Sequence, residues 1–364
     1  MSRISALDGL RGLAILLVLL WHAVFDQYSP SPVIHKLLVI GKLSWSGVDR
    51  FFVLSGFLIG GILLDAKDSP SYYKTFYLRR AFRILPLYLV LLGIYFVIRP
   101  TLLGAWMRFQ VTEVPALSLF TFTQNFWMAL PKYFGGGIGA TWSLAIEEQF
   151  YLLMPLLVRK LRRTQLIFVL LAAVILAPVL RFGLIRFFPQ WGCAPYVLMP
   201  CRADALSLGV LCAILVRRPY LYARVLPFVP WGIGILLVPL AWLTHHGHDP
   251  FSKSIAILGY SLLALFYACW LLLAAAGGLP FLENRWLRNL GGIAYGTYLL
   301  HVPLISLVAH IADQAFLGRP HAGAIAVVLA AVIGVGVTLI LASLSWRFFE
   351  HPLVIHSHRY GYEA

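Results

Sequence analysis

Histidines, arginines and a pair of glutamates, each set in a run of apolar residues, are the groups in this sequence best suited to acid–base chemistry and anion binding. The first run reads Leu7-Asp8-Gly9-Leu10-Arg11 and continues to Trp21-His22. Arg11 and His22 are eleven residues apart. On a helix that is three turns plus about 20°, so they share a face roughly 16 Å apart along the axis. A neutral imidazole, with an ordinary pKa of about 6.5, can take a proton from a hydroxyl near neutral pH. A plainer reading stands beside this one: Arg11 snorkels and pairs with Asp8, and His22 bonds a neighbouring helix.

Further along, residues 47–57 hold Asp49, Arg50 and Ser55. Asp49 is placed to neutralise Arg50. Ser55 is either a nucleophile or, with Gly56, a small-residue packing site. Arg79, Arg80 and Arg83 end a basic loop, and such guanidinium forks beside a membrane suit phosphate groups or lipid headgroups. Trp142, Glu147 and Glu148 stand at the mouth of an apolar run. Arg202 and Asp204 read as an internal ion pair. Tyr295, Tyr298 and His301 recur every third position along one side of a helix.

These residues need a scaffold, and composition says which. Of 364 residues, 60% are hydrophobic and only 12% charged, far from the roughly 25% charge of a soluble domain. The expected fold is all-α: a polytopic transmembrane helix bundle. About ten spans are expected, at 9–28, 46–64, 84–104, 141–158, 165–185, 203–216, 226–243, 254–276, 290–311 and 322–345. The 203–216 run is short for a bilayer and is expected to start earlier or be partly re-entrant. The polar-rich stretch 115–130 is expected to be interfacial or re-entrant. The net charge of +15 comes from short basic bursts between apolar runs, which argues for loop charge rather than nucleic-acid binding. Seventeen Lys and Arg fall in one set of loops and eight in the other. The richer set is therefore expected inside, with both termini cytoplasmic. Residues 1–364 read as a single membrane domain with no cleavable signal and no appended soluble domain. Cys193 and Cys201 share a loop and can pair if it faces an oxidising compartment.

Taken together, these motifs resemble acyltransferase family 3, membrane proteins that O-acylate sugars and macrolides. The resemblance covers nearly the whole chain. It rests on Arg11 and His22; on Phe51, Phe52, Ser55, Gly56 and Phe57; on Arg80 and Arg83; and on Trp142, Ser143, Leu144 and Glu147. It extends to Arg202 and Asp204, to Tyr295, Tyr298 and His301, and to Glu350 and Pro352. Ala294 stands where the family often has Ser, and Arg50 where an apolar residue is common.

The resemblance implies an acyl-CoA donor, most often acetyl-CoA, with no permanently bound cofactor and no metal. Arg11, Arg80 and Arg83 would hold the donor, with the last two against its phosphates. His22 would act as general base with Glu147 orienting or relaying, or would itself carry the acyl group. Asp49, Ser55, Trp142, Arg202, Asp204, Tyr298 and His301 complete the candidate site. The favoured acceptor is a sugar hydroxyl of a cell-surface or exported polysaccharide, free or lipid-linked, handled at the bacterial inner membrane. A macrolide is the rival acceptor and a multi-span transporter the rival class.

Overall fold

The computed structural model describes residues 4–25, 41, 43–98, 100–101, 113–246, 249–315 and 323–362. Among these residues there is no strand, and ten long helices carry the fold. In chain order they are α1 (Ser5–Leu20), α2 (Gly47–Asp65), α3 (Tyr72–Ile98), α4 (Thr141–Lys160) and α5 (Arg163–Phe187), then α6 (Met199–Val216), α7 (Val229–His246), α8 (Tyr260–Ala275), α9 (Ala294–Ala315) and α10 (Gly323–Ser345). A wider π turn, Trp21–Phe25, extends α1, and another, Trp346–Glu350, joins α10 to a last helix, His351–Ser357.

Nine of the helical segments among the described residues are long and apolar enough to cross a membrane. The chain is a multi-pass membrane protein. The expected tenth span, 141–158, is present as α4, but it is not one of those nine. Glu147, Glu148 and Gln149 lower its apolar content. The short 203–216 run does begin earlier: the span covers Ala194–Val216, with a break at Leu198 before α6.

Two expectations about segment ends are corrected. The arginine-rich segment before residue 84 is not loop, because α3 starts at Tyr72 and carries Arg79, Arg80 and Arg83 on regular helix. Nor does the chain leave helix at residue 345, since the helical path continues to Ser357. In both places the polar residues lie on a helix that runs past the apolar stretch, which hydropathy alone does not register.

The centre of the bundle is α2 against α6. The windows containing them are each 72% buried, whereas the window containing α7 is 11% buried and faces outward. Without water-driven burial between spans, helices associate through close packing of small residues. A Cβ on Gly56 would overlap the Leu206 carbonyl oxygen, and one on Gly209 would overlap that of Val53. The two backbones therefore touch, and no other residue fits either position.

The stretch 116–128 forms two one-turn helices, Ala116–Phe120 and Gln124–Met128, rather than a span. Its polar side chains bind it to the bundle. Asn125 donates to the Val197 carbonyl at 3.2 Å, Gln124 to that of Thr141 at 3.0 Å, and Gln149 of α4 to that of Phe122 at 2.9 Å.

One end of the bundle gathers the basic segments. Arg217 is bidentate to Asp65 at 2.7 Å, Lys67 donates to the Leu161 carbonyl at 2.9 Å, and Arg79 donates to that of Tyr360 at 2.8 Å.

Candidate active site

Three cavities follow one another from this basic end into the bundle. The outer one, about 480 Å³, is lined by Arg11, Arg79, Arg80, Arg83, His358 and Tyr362. The middle one, about 120 Å³, shares Arg11, Leu58, Arg80 and Arg83 with the outer one and continues past Ser55, Glu147, Tyr151 and Tyr298. The inner one, about 300 Å³, shares Val48 and Tyr298 with the middle one and reaches Trp21, His22, Trp142 and Tyr196.

The helices explain this order. Arg80 and Arg83 sit three apart on α3, so they are neighbours on one face. Among the described residues neither makes an ion pair or a side-chain hydrogen bond, and both face cavity space. Two guanidiniums that no carboxylate contacts directly, one turn apart on a rigid helix, are suited to a polyanion. Arg79 is engaged differently: it holds the Tyr360 carbonyl and lies over the Tyr362 ring, fixing the C-terminal segment beside the outer cavity. Arg11 reaches Asp8 at 3.4 Å, as the plainer reading had it, and still lines both outer and middle cavities.

His22 lies at the other end of α1, on the π turn, facing the inner cavity. Its Nδ1 is 3.0 Å from the Val18 carbonyl oxygen. A carbonyl only accepts, so in the neutral ring Nδ1 carries the proton and Nε2 keeps the lone pair. His301, fully buried on α9, repeats the arrangement with Nδ1 2.6 Å from the Tyr298 carbonyl, and its Nε2 has no hydrogen-bond partner. The two rings meet edge to face, with centroids 4.6 Å apart.

Tyr298 stands between the middle and inner cavities. Its hydroxyl is 2.5 Å from Ser143 Oγ and donates to the Ala140 carbonyl at 3.0 Å. Ser55 Oγ is 2.7 Å from the Tyr151 hydroxyl, so both line the middle cavity as one hydrogen-bonded pair beside Glu147. Trp142 packs on Phe52 and Tyr196 at 5.9 and 4.4 Å and walls the inner cavity.

The expected charge pairings are corrected. Asp49 does not pair with Arg50 but with Arg202, and Asp204 pairs with Arg181 at 2.9 Å. Helix geometry requires this, because residues one or two apart point to different sides and cannot face each other. Asp204 also accepts from Ser261 at 2.6 Å. Arg202 lies over the Tyr260 ring at 3.9 Å. Arg50 instead stacks on Tyr267 and Trp270, at 4.6 and 5.5 Å. The charged ladder therefore ties α2, α5, α6 and α8 together behind the cavity wall. It lines none of the three cavities, so Asp49, Arg202 and Asp204 position the site rather than contribute to its surface.

Cys193 and Cys201 are free, buried thiols, not a disulfide. Burial pushes the Cys193 thiol up to about 11. Among the described residues no three His, Cys, Asp or Glu side chains converge as metal ligands would.

Sequence reasoning missed Tyr151 and Arg181 as participants. Tyr151 follows Glu147 by one helical turn, and Arg181 is a single cation inside an otherwise apolar run. Each was a usable signal.

The family model described as an acyltransferase domain matches residues 4–347. The chain belongs to acyltransferase family 3. It is 28% identical to a peptidoglycan O-acetyltransferase of Listeria monocytogenes, over 96% of this chain and 56% of that protein. It is 30% identical to a putative peptidoglycan O-acetyltransferase of Bacillus subtilis, over 96% of this chain and 55% of the relative. A putative O-acetyltransferase of Staphylococcus aureus is 28% identical, over 97% and 57%. The chain thus spans little more than half the length of these relatives. No solved structure matches it.

Proposed function

We propose that the chain is a membrane O-acyltransferase that moves an acetyl group from acetyl-CoA to a hydroxyl of an envelope glycan. The observation that carries this reading is the row of cavities, with Arg80 and Arg83 at one end and His22 at the other. The positive-inside rule puts the arginine end in the cytoplasm, where acyl-CoA is made. The phosphates of CoA would sit against Arg80 and Arg83 in the outer cavity. Its thioester arm would pass Arg11 and extend through the middle cavity. The glycan hydroxyl would approach from the opposite side into the inner cavity. The O-acetyltransferase names of the relatives support the reaction, and the two that name peptidoglycan support a glycan acceptor.

In the reaction, His22 Nε2 takes the proton of the acceptor hydroxyl as its oxygen attacks the thioester carbonyl carbon. A C–O bond forms, the C–S bond breaks, and the CoA thiolate receives the proton that His22 holds. The bond from Nδ1 to the Val18 carbonyl keeps the ring in the tautomer this step needs and helps to stabilise the imidazolium.

Purified protein supplied with acetyl-labelled acetyl-CoA and peptidoglycan glycan fragments tests the proposal. The expected result is CoA release matched by ester-linked label on the glycan. Acetyl-CoA left intact, with no label on any glycan, overturns it.

A further inference from the structure

Beyond the inner cavity lies a fourth space that the reaction as described does not use. It is a cleft of about 160 Å³ bordered by Phe188, Trp191, Tyr196, Phe251, Lys253 and Tyr260. Tyr196 and Phe251 line both this cleft and the His22 cavity, so the two spaces adjoin across these rings. The cleft lies at the end of α5 away from Arg163, roughly 37 Å of helix from the basic end.

The cleft is held in shape. The Tyr260 hydroxyl donates to the Pro250 carbonyl at 2.5 Å, and the Phe251 amide donates to Asp249 at 2.7 Å, which fixes the loop that carries Phe251 and Lys253. On the other wall the Cys193 amide donates to the Ala129 carbonyl at 3.2 Å. Phe188, Trp191 and Phe251 are 51%, 39% and 39% exposed and offer open ring surface. Lys253 is exposed and makes no ion pair among the described residues, and no carboxylate borders the cleft.

Aromatic walls with a few placed polar groups are the usual lining of a ligand site. Flat rings match the apolar C–H faces of a pyranose, and one ammonium supplies a point charge for an anion.

We infer that this cleft is an acceptor subsite, holding a carboxylate-bearing sugar next to the sugar whose hydroxyl lies in the His22 cavity. The inference rests on the proposed glycan acceptor and makes it more specific. The protein would act on a glycan of at least two rings with an anionic substituent, not on a single neutral sugar.

The test uses the full chain in nanodiscs and equilibrium dialysis, which reads binding without turnover. The probes are the disaccharide of N-acetylglucosamine and N-acetylmuramic acid, the neutral N-acetylglucosamine disaccharide, and N-acetylglucosamine alone. The anionic disaccharide is expected to bind about tenfold more tightly than either of the other two, the scale of one charged hydrogen bond. Lys253→Glu should remove its advantage over the neutral disaccharide, and Trp191→Ala its advantage over the single sugar. Equal affinities, or an advantage that survives both substitutions, overturn the subsite and leave these aromatics as interfacial anchors. Acetyl transfer, measured separately, distinguishes the two readings. Tight, Lys253-dependent binding without transfer sinks the acyltransferase proposal alone. Transfer indifferent to length and charge sinks the subsite alone.

Discussion

The rings of His22 and His301 meet edge to face 4.6 Å apart, and each has Nδ1 turned to a backbone carbonyl of its own helix. Two imidazoles held this way keep both Nε2 lone pairs inside the bundle. Of the two, His22 lines the inner cavity, whereas His301 is sealed behind it. That difference is why the proposed proton transfer is given to His22 rather than His301.

His22→Gln keeps bulk and hydrogen-bonding capacity but cannot take up a proton near neutral pH. Acetyl transfer should fall by about 10²–10⁴-fold, the usual loss on removing a general base. Acyl-CoA binding should be unchanged, because the proposed phosphate site lies at the far end of the row of cavities. Near-normal turnover by a normally expressed His22→Gln protein would falsify the assignment and point to Glu147 or His301.

Replacing Arg80 or Arg83 with Ala should raise the KM for acyl-CoA while changing kcat little. Lysine should restore only part of the affinity, because a point charge lacks the planar fork. Steady-state kinetics with acetyl-CoA as the varied substrate gives the answer. An unchanged KM in both alanine variants removes the phosphate site from this pair.

Asp49→Ala should leave Arg202 buried without its counter-ion. The expected cost is about 3–5 kcal/mol, the range for breaking a buried pair from one side. Thermal unfolding in detergent, followed by loss of soluble monomer, is the measurement. Arg50→Ala should cost less, since Arg50 rests on the rings of Tyr267 and Trp270 rather than on an acid. Equal melting of Asp49→Ala and unsubstituted protein would mean the ladder carries no stability.

Cys193 should stay unmodified by maleimide at pH 7, because a thiol pushed up to about 11 is protonated there and thiolate is the reactive form. Its labelling should rise only as pH climbs toward that value. Non-reduced peptide mapping should find Cys193 and Cys201 unlinked. A linked peptide would show that the pair approaches more closely than this structure allows.

The spans were legible because apolar runs long enough for a bilayer have few other uses. Their ends were not. The helix carrying Arg80 and Arg83 begins at Tyr72, well before the apolar run, and the final helix outlasts its own. The residues facing the cavities were legible too: Arg11, Arg80, Arg83, Glu147, Tyr298 and His22 all line one of the three. Their motifs marked them. Partner choice was hidden. Asp49 has an arginine beside it in sequence and takes one from another helix, and Asp204 passes over Arg202 for Arg181. Which helices pack together decides such pairs, and backbone contact at Gly56 and Gly209 is a three-dimensional fact that a local pattern does not encode.

The Asp49–Arg202 pair also sets a timetable for biogenesis. Its members are 153 residues apart in the chain. At about 5–20 residues per second, ribosomes deliver Asp49 roughly eight to thirty seconds before its partner is made. During that interval the second span carries an acid with no arginine to meet it, and Gly56 has no Gly209 to close against. Until α6 emerges, that span carries the cost of an unpaired acid, about 2.5–3.5 kcal/mol on the insertion scale. Close packing of the amino-terminal half is therefore completed late, by a helix from the middle of the chain.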